Sequence, residues 1–127
     1  ERGVMNSVVF DSNVKCEEIE VVSLDDELKG ICPTMIKIDV EGYEFPVLEG
    51  AKDLIFKFKP IIILEISQER EQIGDSDLIW DYLQETGYEV YVLKGGKDRR
   101  SQLLRVKSRS ELPKHDNVVC IHPSRMK

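Results

Sequence analysis

The sequence is poor in the residues that build disulfide frameworks and histidine metal sites. It holds three cysteines and two histidines, with no C-x-x-C pair. A scattered, odd number of cysteines argues against a disulfide-stapled domain, a zinc ribbon and a thioredoxin motif. We therefore expect reduced thiols, a cytoplasmic location and no metal site.

Long apolar runs and an excess of basic residues are also absent. No apolar run approaches the roughly 20 residues that span a bilayer, and the start Glu1-Arg2-Gly3 has no signal-peptide character. Asp and Glu number 24 against 18 Lys and Arg, for a formal charge of -6. A nucleic-acid or anionic-membrane binder needs a basic surface, so we expect neither of those partners.

The 127 residues fit one domain, and their pattern alternates strand-like with helix-like segments. The predicted strands are residues 4–10, 18–23, 34–39, 61–66, 88–93, 102–106 and 117–121, and the predicted helices are a short one after Ser23, residues 45–59 and residues 76–86. This βαβ rhythm predicts an α/β fold whose sheet is mostly parallel, with an antiparallel edge formed by the last strands. The unbroken aliphatic run at 61–64 indicates a strand buried on both faces.

Carboxylates follow two neighbouring strands of the predicted sheet. Asp39 ends the strand at 34–39 and Glu41 follows it, and Glu65 comes directly after the aliphatic run. Open α/β sheets bind ligands at the carboxyl ends of their strands, and a buried carboxylate is costly unless it is paired. Asp39 and Glu41 are therefore either site residues or caps of the following helix, whereas no capping role is evident for Glu65.

Four blocks of the sequence stand out by their content and spacing. They are Ser23-Leu24-Asp25-Asp26-Glu27-Leu28, K-I-D-V-E-G-Y-E at 37–44, V-L-E-G-A at 47–51 and the strand from Pro60 to Glu65. Together they resemble the FkbM family of S-adenosylmethionine-dependent methyltransferases. Order, spacing and content agree over residues 21–66. The resemblance implies a Rossmann-like methyltransferase sheet and methyl transfer from S-adenosylmethionine to an oxygen of a sugar or natural product.

The resemblance also implies where the site lies. Asp39, Glu41 and Glu65 become candidate catalytic bases or hydroxyl-orienting groups. Five further residues are expected beside the substrate or cofactor, and they are Asn6, Ser7, Asp25, Gly42 and Tyr43. The expected partner is a small-molecule or glycan acceptor.

One part of the family pattern is not in this sequence. Such methyltransferases hold the cofactor on a glycine-rich turn after their first strand and on an acidic residue that ends the second. We therefore expect residues 1–127 to be a single partial domain, the C-terminal half of an FkbM-type domain without its N-terminal strands. The isolated chain is then expected to be inactive, and its exposed sheet edge is expected to favour self-association.

Two other functions use the same residues. The carboxylates are also of the type that holds Mg²⁺ for phosphoryl transfer, although no phosphate-binding loop accompanies them. A non-catalytic α/β binding or assembly module is the third interpretation.

Overall fold

A computed structural model describes residues 17–67, 76–95 and 100–127. The helices are α1 (Leu24–Glu27), α2 (Glu44–Glu49), α3 (Lys52–Phe58) and α4 (Ser76–Glu85), and the strands are β1 (Met35–Ile38), β2 (Ile61–Ser67), β3 (Glu89–Lys94), β4 (Gln102–Val106) and β5 (His115–Ile121). Two short 3-10 helices follow β4 and β5, at Arg109–Glu111 and Pro123–Arg125.

Two of the predicted strands have no counterpart among these elements. The one at 4–10 lies outside the described residues. The one at 18–23 is wrong, because residues 17–22 form no regular structure and Ser23 caps α1 by accepting a hydrogen bond from the Asp26 amide. Ile19 and Val21 are exposed there. A strand is stable only when a neighbour takes its backbone hydrogen bonds, and alternating apolar residues do not supply that neighbour.

The five strands form one sheet in the order β1-β2-β5-β3-β4. Only β1 and β2 pair in parallel, and the other three pairings are antiparallel. The predicted mostly parallel sheet is therefore wrong, although the α/β class and the antiparallel β3–β4 edge are confirmed. Strands β1, β2 and β3 do run in one direction, but β5 returns between β2 and β3 and separates them.

One face of the sheet forms the core with the helices. Burial along β2 alternates, with Ile62, Leu64 and Ile66 fully buried and the residues between them only partly so. The cluster joins them to Leu48, Ile55, Ile79 and Leu83 from the helices and to Val90, Val118 and Cys120 from the neighbouring strands. The prediction that β2 is buried on both faces is wrong, because burial alternates along the strand and Ile61 and Ile63 are only partly buried on the other face.

Asp25 divides the predicted helix at 45–59 into α2 and α3. Its amide donates to the Gly50 carbonyl at 2.9 Å, and its carboxylate accepts from the Asp53 and Leu54 amides at 3.1 and 2.9 Å. In a continuous helix the Leu54 amide would donate to the Gly50 carbonyl. Here Asp25 binds both groups instead, the Gly50 carbonyl through its amide and the Leu54 amide through its carboxylate. Asp25 therefore replaces one backbone hydrogen bond of a continuous helix.

The far end of α3 is held by the C-terminal segment. Lys59 ends the helix in the left-handed conformation, with φ of 47°. The Arg125 guanidinium donates to the Phe58 carbonyl at 2.7 Å and to the Lys59 carbonyl at 3.0 Å. These are two of the last carbonyls, which a helix leaves without an internal partner.

Candidate functional site

The turn after β1 carries the first two candidate carboxylates in an unusual backbone conformation. Glu41 and Gly42 both have positive φ, at 53° and 101°. Only glycine adopts the second value without strain, so Gly42 is needed for the turn itself. The Gly42 amide donates to the Glu44 carboxylate at 3.2 Å, and Glu44 is 4% exposed. A buried carboxylate thus fixes a turn that leaves Asp39 and Glu41 at the surface.

The parallel pairing of β1 with β2 brings two candidates to one edge of the sheet. Ile38 is the register partner of Leu64, so Asp39, the residue after β1, lies beside Glu65 of β2. Adjacent strands lie about 4.8 Å apart. Asp39 is exposed and paired with Lys37 Nζ at 2.8 Å, whereas the Glu65 side chain is only 18% exposed. Asp39 directly follows β1, and Glu65 lies two residues before the end of β2, so both are near the carboxyl ends of their strands.

Strand β5 adds further polar side chains to the same edge. Because β5 runs antiparallel to β2, it begins where β2 ends, with His115 opposite Ser67 and Asn117 opposite Glu65. His115 Nε2 lies 3.0 Å from Glu65 Oε1. The two side chains are diagonal cross-strand neighbours on one face, a spacing from which long side chains interact.

The remaining predicted residues fall into three situations. Asp25 binds the start of α3, as described above, and the structure gives it a backbone-binding role. Tyr43 is half-buried and immediately precedes α2, where its side chain makes no cap. Asn6 and Ser7 lie outside the described residues.

Sequence reasoning missed His115 and Asn117 as members of this region, and it interpreted Glu44 as an acidic residue that suits the start of a helix rather than as the buried acceptor that fixes the turn. For His115 and Asn117 no local signal exists, because they enter the edge only through the long-range pairing of β5 with β2. Glu44 had a local signal, since a glutamate two residues after a glycine in a tight turn can accept that glycine's amide.

Burial shifts the pKa of two side chains away from the edge. It raises the pKa of Tyr82, to which the Asp25 charge contributes less, and burial alone raises the pKa of the Cys120 thiol. Cys32 and Cys120 are both free thiols. Among the described residues no three His, Cys, Asp or Glu side chains are grouped as metal ligands, and in that same part of the chain no helix is long and apolar enough to cross a membrane.

Comparison with known proteins decides the family. Residues 1–90 match the model of the methyltransferase FkbM domain, which is more than half of the chain. The chain belongs to this family. The match is wider than the blocks at 21–66 that carry the resemblance, and it includes β1, β2 and the turn with Asp39 and Glu41. No curated protein and no solved structure gave a significant match.

Proposed function

We propose that this FkbM-domain protein transfers a methyl group from S-adenosylmethionine to a hydroxyl oxygen of a sugar or natural-product acceptor, in the cytoplasm. The family match over residues 1–90 carries the methyltransferase assignment. It favours methyl transfer over Mg²⁺-dependent phosphoryl transfer and over a non-catalytic module. The small, odd number of cysteines, without a C-x-x-C pair, is the sequence feature that supports the compartment.

The edge formed by β1, β2 and β5 suits a hydroxylated acceptor. Asp39, Glu41 and Glu65 bring three carboxylates close to the carboxyl ends of β1 and β2. Carboxylates accept hydrogen bonds from hydroxyl groups. When bound, the donor supplies an electrophilic methyl group, and this chain's residues would orient the acceptor toward it.

The three carboxylates differ in their surroundings and therefore in what they are suited to do. Glu65 is mostly buried and held by His115, so its position is fixed by packing before any ligand arrives. Preorganised groups of this kind contribute most to catalysis, because they need no rearrangement during the reaction. Asp39 and Glu41 are exposed and are suited to contacts with the hydroxyl groups of a ligand.

The test separates binding of the methyl donor from methyl transfer. The full-length protein is titrated with S-adenosylmethionine by calorimetry, and transfer of its labelled methyl group is followed with a panel of simple sugars and phenols. Asp39→Asn and Glu65→Gln should lower transfer about 10- to 100-fold while changing the donor Kd less than about threefold, because groups that act on the acceptor side stabilise the transition state and do not hold the donor.

Two other outcomes would change the assignment. Equal losses of binding and transfer would place these carboxylates in the donor pocket. Absence of any calorimetric signal for S-adenosylmethionine, in a protein shown to be folded, would contradict the proposed methyl donor. Glu49→Gln, an exposed carboxylate at the end of α2, is the matched control and should leave both quantities unchanged.

A further inference from the structure

His115 and Glu65 form an ordered pair at the edge where the candidate carboxylates lie. The Nε2–Oε1 distance is 3.0 Å, within hydrogen-bond range, and the two residues sit on neighbouring strands β5 and β2. Their side chains are unequally covered, with Glu65 18% and His115 50% exposed. The carboxylate is therefore fixed in the sheet, while the imidazole is open to a ligand.

The contact with Glu65 determines which ring nitrogen of His115 carries the proton. A carboxylate only accepts hydrogen bonds, so the nitrogen facing it, Nε2, carries the proton. In a neutral ring the other nitrogen, Nδ1, then holds an unshared electron pair. The hydrogen bond made by one nitrogen sets the tautomer and orientation of the ring.

Proton acceptance is the chemistry that this arrangement supports. A hydroxyl group must lose its proton as its oxygen becomes an ether. An effective base has an ordinary pKa near the working pH, and among side chains the imidazole is the class that meets this condition, whereas a carboxylate is ordinarily a much weaker base.

We propose that His115 is the catalytic base of this methyltransferase and that Glu65 is its positioning residue. The assignment rests on the proposed function. The acceptor oxygen forms a bond to the methyl carbon, and the bond from that carbon to sulfur breaks with its electron pair left on sulfur. The hydroxyl proton goes to His115 Nδ1, and Glu65 stabilises the resulting imidazolium. No additional reactant is required.

The kinetic test replaces each member of the pair in the full-length protein. His115→Gln keeps an amide that can donate to Glu65 but removes the base, and it should lower kcat about 100-fold or more, with the Kd for S-adenosylmethionine unchanged. Glu65→Gln should lower kcat about 10- to 100-fold, as loss of an orienting partner does.

His122→Gln is the matched control. The His122 ring packs on Tyr88 where β5 ends, at the opposite edge of the sheet, and kcat should not change. A His115→Gln protein that is folded and keeps kcat within threefold of the wild type overturns the proposal.

A spectroscopic measurement tests, without any acceptor, which ring nitrogen of His115 carries the proton and whether Glu65 holds it there. In long-range ¹⁵N–¹H spectra of the unmodified protein, the neutral His115 ring should carry its proton on Nε2, with a slowly exchanging Nε2–H signal that Glu65→Ala abolishes. A ring with its proton on Nδ1, or an Nε2–H signal indifferent to Glu65→Ala, overturns the proposal. Methyl transfer that is undetectable in the wild type, beside the expected spectrum, would count against the proposed function and leave the Glu65–His115 geometry standing.

Discussion

Glu41 occupies a backbone conformation that costs free energy. It is one of two non-glycine residues with positive φ among the described residues, at 53° for Glu41 and 47° for Lys59. Left-handed backbone costs an L-residue about 1–2 kcal/mol relative to the right-handed form. Such strain is found most often at binding and catalytic sites, where a side chain must point in a particular direction. Lys59 lies at the end of α3, where a left-handed residue is an ordinary helix stop.

This difference gives a prediction with a built-in control. Glu41→Gly should leave the free energy of unfolding unchanged or raise it by up to about 1 kcal/mol, because relief of strain exceeds the entropy that glycine loses on folding. Lys59→Gly should behave in the same way in urea unfolding. Only Glu41→Gly should also lower methyl transfer. If both variants keep wild-type transfer, Glu41 is a turn residue with no part in the reaction.

At the level of residues, the sequence was informative where the chemistry is local. The positions of Asp39 and Glu65 at strand ends followed from two apolar runs and the rule for ligand sites in α/β sheets. The role of Asp25 did not follow, because its carboxylate binds amides almost thirty residues away in the chain. Side-chain bonds over such distances depend on the packing of whole elements, which a local pattern does not specify.

Helix α3 depends on two side chains from distant parts of the chain. Its N-cap, Ala51, makes no side-chain cap, and the Asp25 carboxylate binds the Asp53 and Leu54 amides instead. Arg125 binds two carbonyls at the other end. A seven-residue helix is too short to be stable alone. These two contacts therefore connect it to α1 on one side and to the C-terminal segment on the other.

We predict that each contact contributes measurably to stability. Asp25→Ala should lower the free energy of unfolding by about 1–2 kcal/mol, the usual cost of losing a helix cap. Arg125→Ala should cost about 1 kcal/mol, because its hydrogen bonds lie at the surface. The exposed neighbours Glu27 and Lys127 supply matched alanine controls, expected within about 0.5 kcal/mol of the wild type. Urea unfolding measures all four, and equal effects in variants and controls would show that α3 needs neither contact.

The Asp25 contact explains why the predicted helix at 45–59 is two helices in the structure. Apolar residues recur at helical spacing from Val47 to Phe58, and Pro46 lies in the first turn of α2. This spacing predicted the buried side correctly, with Leu48, Ala51, Leu54 and Ile55 in the core. Periodicity indicates which side chains of a helix face inward. It does not indicate that a side chain from another element, here Asp25 of α1, replaces one of the backbone hydrogen bonds.

The whole sheet presents two outer edges, and apolar side chains are exposed at both, among them Leu103 on β4. Within the described residues β1 pairs only with β2, and β4 only with β3. The β1 edge has Met35 54% and Ile31 52% exposed, and the charge of Lys37 is compensated by Asp39. An open edge with exposed apolar side chains is a site for pairing with another chain.

We predict that the chain self-associates through the β1 edge at micromolar concentration. Met35→Lys should shift the protein toward monomer in sedimentation velocity, because like charges would then meet across the joined edges. Leu103→Lys makes the same change at the other outer edge, on β4, and should leave the distribution unchanged if association uses the β1 edge. A wild-type chain that sediments as a monomer and binds little hydrophobic dye would refute the prediction.

Strand order was the largest part of the fold that the sequence did not predict. The location of β3, β4 and β5 along the chain was predicted to within two residues, because each is a short apolar run bounded by polar residues. Their order in the sheet depends on which strand enters the space beside β2. Val118 and Cys120 fill that space against Leu64 and Ile62, and this fit is a property of three-dimensional packing rather than of the β5 sequence alone.

The central position of β5 also determines when the sheet can be completed. The strand comes last in the chain order of the five, yet it joins the β1–β2 pair to the β3–β4 hairpin. During synthesis on the ribosome those two halves emerge first, each with one unsatisfied edge facing the gap that β5 will fill. The two halves join only when β5 pairs with both β2 and β3. The pairing with β2 is distant in sequence, and such pairings slow folding relative to local ones. Until β5 has left the exit tunnel, the nascent chain is therefore a pair of open half-sheets that a chaperone would recognise.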